Sequence, residues 1–156
     1  LINNDRTKFH PEAYQLNQSM SPHAAAERDG VKIHISSIEM PHTNNHLVIE
    51  GAGGLLVPLN DKDTILNLIE TLNCEVILVS RHYLGSINHT LMSIEALQQR
   101  NIPIKGILFN GKENKDTESI ITKMSGVNII GRIDELDDLN KSVINSIAQN
   151  LKNKLI

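Results

Sequence analysis

Three short runs rich in β-branched residues, at 76–79, 104–109 and 127–130, alternate with stretches whose apolar residues recur every three or four positions. A short run that is apolar throughout suits a strand covered on both faces, and such strands belong to parallel sheets. Parallel neighbours need a crossover between them, usually a helix. The alternation therefore predicts an α/β fold, a parallel sheet with helices on both faces. Ile65, Leu68, Ile69 and Leu72 mark one crossover helix, with Asp61 or Asp63 as its N-cap, and Ile87, Leu91, Ile94 and Leu97 mark the next, closed by Asn101 and Pro103. A short helix is expected at 118–124 and a longer one at 139–155, with Leu139, Val143, Ile147, Leu151 and Leu155 on its apolar face.

Upstream the pattern is less regular. Residues 1–21 show no sustained apolar period and read as irregular. Ser21 and Pro22 open a short helix over 23–29, the serine as N-cap and the proline in the first turn, and Gly30 ends it. Residues 31–40 fit a strand through Val31, Ile33 and Ile35, or a helix through Ile35 and Ile38. Leu47, Val48 and Ile49 read as a further buried strand that runs into Glu50, Gly51, Ala52, Gly53 and Gly54.

A length of 156 residues suits one hydrophobic core, so 1–156 is expected to be a single α/β domain. Apolar content of 40% and charged content of 21% exclude a disordered, collagenous or coiled-coil chain. No apolar run reaches the roughly 18 residues of a membrane span, and no signal sequence opens the chain, so neither membrane nor export is expected. Cys74 is the one cysteine and has no partner for a disulfide, which agrees with a cytoplasmic location. A net charge of −3, with no basic stripe, two Tyr, two Phe and no Trp, leaves nothing to hold or stack nucleic acid.

In an open parallel sheet ligands bind beyond the carboxyl ends of the strands. Three segments fall there: residues 50–54, 80–86 and 110–111. A carboxylate beside a glycine-rich turn suits Mg²⁺ and phosphate, because the hard cation takes oxygen ligands and the glycines let phosphate oxygens approach. Glu50 is then a metal ligand; alternatively it caps a neighbouring helix and the glycines serve only a tight turn. The run is neither GxGxxG nor GxxxxGK[ST], and the latter occurs nowhere in the chain. Tyr83, Leu84, Gly85, Ser86, Ile87, Asn88 and His89 lead into a helix whose first N–H groups suit a carboxylate, or make a capped helix with nothing bound. Asn110 offers an amide able to pair with a purine edge, or with Gly111 forms a simple turn.

The histidines add no constellation. His42 and His46 are four apart, but Pro41, Asn44 and Asn45 read as solvated loop and no third ligand is near. His10, His23, His34, His82 and His89 have no carboxylate or nucleophile at diagnostic spacing, and Cys74 reads as a packed thiol. No residue is assigned as catalytic.

The segment from Val48 to Leu59, Val-Ile-Glu-Gly-Ala-Gly-Gly-Leu-Leu-Val-Pro-Leu, with Ser-Pro-His-Ala-Ala-Ala from Ser21 before it and Tyr-Leu-Gly-Ser-Ile-Asn-His-Thr from Tyr83 after it, resembles the dethiobiotin synthetases across essentially the whole chain. The resemblance implies a P-loop NTPase-like α/β fold, a homodimer, and the penultimate step of biotin synthesis, in which ATP, Mg²⁺ and CO₂ close a ureido ring on 7,8-diaminononanoate. It implies a carbamate on one substrate amine, attack of the carbamate oxygen on the γ-phosphate, and displacement of phosphate by the second amine. It implies Glu50 as the Mg²⁺ ligand; Glu50, Gly51, Ala52 and Gly53 along the nucleotide phosphates; Asn110 and Gly111 at the adenine; and Asp134, Glu135 and Leu136 flanking the base, where the family often has proline at position 134. Leu84, Gly85, Ser86, Ile87 and Asn88 match the loop that receives the substrate carboxylate across the dimer interface.

Members of that family begin with a strand and a Gly-x-x-x-x-Gly-Lys-Thr loop, then a Lys-Pro strand and a metal-holding Asp whose context Asp5 does not share. The chain is therefore expected to start after them, to be an incomplete fold, and to lack synthetase activity by itself. A non-catalytic dimerisation or ligand-binding module is the alternative. A related amidoligase or partitioning ATPase is disfavoured by the Leu-Gly-Ser-Ile-Asn-His run.

Overall fold

The structure, a computed structural model, describes residues 8–155, and the chain divides between Cys74 and Glu75 into two compact units. Of the irregular stretch expected over 1–21, residues 1–7, Asp5 among them, lie outside the described residues.

The first unit contains α1 (Pro22–Arg28), a 3-10 turn (Ile35–Ser37) and α2 (Ile65–Leu72). Ala26, Ile33, Leu59 and Ile65 form its buried centre, with Tyr14, Leu16, Val57, Leu68 and Ile69 packed around them. Pro22 stands in the first turn of α1 as expected, but Ser21 makes no side-chain capping bond. The N-cap of α2 is Thr64, not Asp61 or Asp63. Asn67 Oδ1 accepts from the Thr64 N–H at 2.9 Å and from its hydroxyl at 2.8 Å, while Asp63 is drawn into a loop in which Asn60 Oδ1 accepts from the N–H groups of Lys62 and Asp63.

The strand expected at Leu47, Val48 and Ile49 is not formed. All three are exposed, Val48 at 91%. An apolar run becomes a strand only where a neighbour takes up its N–H and C=O groups, and among the described residues none pairs with it. Residues 31–40 form neither of the two elements considered: only the 3-10 turn is regular, and Ile33 is buried without a ladder.

The second unit runs β1 (Val76–Arg81), α3 (Ser86–Gln99), β2 (Ile104–Asn110), α4 (Lys115–Ser125), β3 (Ile129–Ile133) and α5 (Lys141–Leu155). Its sheet is parallel throughout in the order β1-β2-β3. The two faces of β2 carry different partners. Ile107 and Phe109 join Ile94 of α3, Ile121 of α4 and Val127 in one buried cluster. Leu108, one residue out of phase, lies opposite Gly131 of β3, where Leu151 of α5 occupies the space a side chain at 131 would need. Helices thus lie on both faces of β2 and β3, as the alternation of runs predicts, but the run at 76–79 is not covered on both sides: Ile77 and Val79 of β1 are 42% and 60% exposed.

Two helices open elsewhere than expected. α4 begins at Lys115, capped by Asn114 Oδ1 accepting from the Thr117 N–H at 3.1 Å; three polar residues hide this first turn from an apolar period. α5 begins at Lys141, because Asn140 Oδ1 accepts from the Val143 N–H at 3.1 Å and ends the preceding loop there. Leu139 is consequently outside the helix and exposed rather than on its apolar face. No helix among the described residues is long and apolar enough to cross a membrane.

Candidate functional site

In the first unit, Glu50, Gly51, Ala52, Gly53 and Gly54 are all exposed. The residues that follow pin this run to the start of α2: Val57 O accepts from the Ile65 N–H at 3.0 Å and Leu55 O from the Leu66 N–H at 2.8 Å. Two of the helix's first-turn donors are satisfied in this way. Gly53 has φ +84°, and a Cβ there would fall 2.9 Å from Val57 Cγ2, so glycine is required both by the backbone and by the close approach. The carboxylate of Glu50 stands at the head of a run that presents backbone rather than side chains.

No group of three or more His, Cys, Asp or Glu side chains comes together among the described residues. Mg²⁺ does not need such a group, since it keeps most of its water and takes one or two carboxylates together with substrate phosphates. Glu50 meets that requirement as a single exposed carboxylate beside a turn open to phosphate.

In the second unit the ladder pairs Arg81 with Asn110 and Asn110 with Ile133, so the chain leaves all three strands at one edge. The loop after β1 enters α3 through Gly85, at φ +101°. Ser86 is buried, and its N–H donates to Tyr83 O at 2.9 Å. Behind the loop, the buried hydroxyls of Ser80 and Thr90 are 2.8 Å apart and join β1 to the first turns of α3. Leu84, Gly85, Ile87 and Asn88 are exposed at the helix N-terminus. Tyr83 is held over this end by its hydroxyl, 2.6 Å from His89 Nδ1.

Asn110 is exposed at the end of β2, and the Gly111 N–H donates to Ile133 O at 2.8 Å. Asp134, Glu135 and Leu136 follow β3, also exposed, with Glu135 Oε1 3.9 Å from Arg81 Nη2. The structure therefore gathers the 84–88 loop, Asn110 with Gly111, and residues 134–136 at one sheet edge of the second unit. Glu50, Gly51, Ala52 and Gly53 belong to the first.

A cluster to which the sequence reading gives no role lies just inside this edge. The side chains of His82, Glu118 and Arg132 are only 13%, 9% and 16% exposed. Glu118 Oε1 accepts from the Asn114 N–H at 3.0 Å and lies 2.8 Å from His82 Nε2, while Oε2 accepts from Arg132 Nη2. Burial raises the Glu118 pKa, but the hydrogen bonds from Arg132, Asn114 and His82, with the Arg132 charge, outweigh it and leave the carboxyl below its ordinary range. The hydrogen bond to Glu118 raises Arg132 above its already high value, against desolvation, with Glu113 and Asp134 adding to the field. His82 stacks on Phe109 with ring centroids 5.1 Å apart, and its Nδ1 is buried without a partner. One signal in the sequence points here: Arg132 interrupts the apolar strand run Ile129, Ile130, Gly131, Ile133, and a cation in a covered strand needs a buried anion.

A protein-family model described as an AAA domain matches residues 1–143. An ATP-dependent dethiobiotin synthetase of Cytophaga hutchinsonii is 48% identical over 152 residues, which is 97% of this chain and 74% of that protein. One from Christiangramia forsetii is 50% identical over 155 residues, 99% of this chain and again 74% of the relative. One from Brucella ovis is 47% identical over 141 residues, 90% of this chain and 66% of the relative. These matches do not bear out the expectation of a missing N-terminal part; they give only the share of each relative that aligns.

Proposed function

The chain belongs to the family of ATP-dependent dethiobiotin synthetases, and on that premise we propose that it closes the ureido ring of dethiobiotin from 7,8-diaminononanoate and CO₂ at the expense of ATP, in the cytoplasm and as a homodimer. The observation that carries this reading is the likeness to such enzymes over 97% and 99% of the chain.

Each segment has a task its chemistry suits. Glu50 is the ligand to Mg²⁺, and Gly51, Ala52 and Gly53 let the phosphate chain lie against backbone. Mg²⁺, when bound, supplies neutralisation of phosphate charge. Asn110 presents an amide to the adenine edge beside Gly111, and Asp134, Glu135 and Leu136 border the base. Leu84, Gly85, Ser86, Ile87 and Asn88 form the N-terminal end of α3, where first-turn N–H groups and the helix dipole favour the substrate carboxylate. The carbamate formed on one amine attacks the γ-phosphate, and the second amine displaces phosphate as the ring closes. Such chemistry depends on positioning and charge more than on a strong base.

The test is turnover. Purified protein given diaminononanoate, CO₂, ATP and Mg²⁺ should yield dethiobiotin, ADP and phosphate in equal amounts. Binding of diaminononanoate with neither ATP consumption nor dethiobiotin would overturn the ligase reading in favour of a binding module.

A further inference from the structure

The second unit spends a buried ion pair on the turn that follows β2. Both backbone polar groups of Gly111 are committed: its N–H donates to Ile133 O at 2.8 Å, and its carbonyl accepts from Arg132 Nη1 at 3.4 Å. Arg132 is itself held by Glu118, whose other oxygen takes the Asn114 N–H and faces His82. On the other side of Asn110, Phe109 is fully buried, stacked by His82 at 5.1 Å and approached by the Arg132 guanidinium at 6.0 Å. Asn110 is thus flanked by two fixed residues while its own side chain is exposed and makes no hydrogen bond among the described residues. A polar group left free for a ligand on a backbone locked from both sides is preorganised.

We infer that Arg132 is a positioning residue for nucleotide selection, acting through the Gly111 carbonyl to hold the Asn110 amide at the angle that distinguishes a 6-amino from a 6-oxo purine, with Glu118 and His82 as its clamp. This rests on the reading of Asn110 as the adenine contact. An amide has one donor and one acceptor, so its discrimination between purines is only as good as its orientation. A guanidinium can reach Glu118 and Gly111 at once through different nitrogens, which an ammonium does poorly.

The experiment compares the whole protein with its Arg132→Met and Arg132→Lys variants, using ATP and inosine triphosphate in parallel, by turnover and by calorimetric titration of each nucleotide. For Arg132→Met, KM and Kd for ATP should rise by about 10-fold, the order seen when residues that orient a binding group are removed, and the preference for ATP over the inosine nucleotide should shrink by a similar factor. The KM for diaminononanoate should stay the same, and Arg132→Lys should fall between. Equal loss for both nucleotides, a fall in kcat alone, or no change overturns the inference. Loss of helical circular dichroism in both variants also overturns it, since Arg132 would then serve stability only. If the unaltered protein forms no dethiobiotin, the functional reading fails by itself, and nucleotide titration still reads the turn.

Discussion

The two regions assigned to the nucleotide are built on opposite principles. Around Glu50 the chain is exposed, glycine-rich and held only by backbone bonds from the residues after it to α2. Around Asn110 the chain is backed by a buried ionic cluster and an aromatic stack. The first arrangement, on the proposed reading, leaves room for a polyphosphate to lie against backbone. The second fixes the backbone on either side of Asn110, which suits the proposed task of telling one base from another. Function at Glu50 should therefore be separable from stability, whereas around Glu118 the two should fall together.

The largest effect that would sharpen this contrast is at Glu50. Glu50→Gln should lower Mg²⁺-dependent turnover by roughly 10²- to 10³-fold, the scale for loss of one charge-stabilising group, without moving the thermal midpoint, since the side chain is exposed. A fall in midpoint would break the comparison. Glu118→Ala should cost about 3 kcal/mol in urea unfolding, because it strands the Arg132 charge inside the unit. The pH dependence has a definite sign. The Glu118 carboxyl lies lower folded than unfolded, so its stabilisation is complete above the unfolded value of about 4.3 and disappears as pH falls through the folded value below it. The gap between wild type and Glu118→Ala should close over that acid range, and a gap that persists there would remove the ionic explanation.

Smaller effects come from the backbone. Gly53→Ala forces a side chain into φ +84° and against Val57, which should cost about 1 to 2 kcal/mol and disturb phosphate binding in the same variant. It is the one place in the first region where stability and binding are expected to move together. Asn114→Ala removes the α4 cap and should cost about 1 kcal/mol by thermal unfolding, less than Glu118→Ala although the two residues are hydrogen-bonded neighbours.

Much of the second unit was legible in the chain. The strands at 76–81, 104–110 and 129–133 each hold a short, mostly apolar run, the pattern a sequence displays most clearly, although Ile77 and Val79 of β1 are exposed at 42% and 60%. The run at 47–49 carries the same local signal yet is exposed, since no local pattern says whether a neighbouring strand exists. Helix starts at Lys115 and Lys141 depend on asparagine caps rather than on apolar period and so were misplaced by two or three residues. The glycine run and the Leu84 to Asn88 loop could be proposed as sites because their chemistry is contiguous in the chain. Of the ion cluster only Arg132, set in an apolar strand run, left a trace in the sequence; its partners could not be read, because His82, Glu118 and Arg132 meet only once the sheet has formed. The expectation of one domain over 1–156 is kept as a proposal: amide exchange at Ile65 and Ile107 with one common unfolding free energy supports it, and two separate values overturn it.

On the proposed reading of the Leu84 to Asn88 loop, the hydroxyl pair of Ser80 and Thr90 bears on how fast a substrate would be captured. With strand and helix joined behind it, the intervening span has both of its ends tied before any guest arrives. Capture there would then wait more on encounter than on rearrangement, the guest surrendering its own freedom with less of the host's to tame.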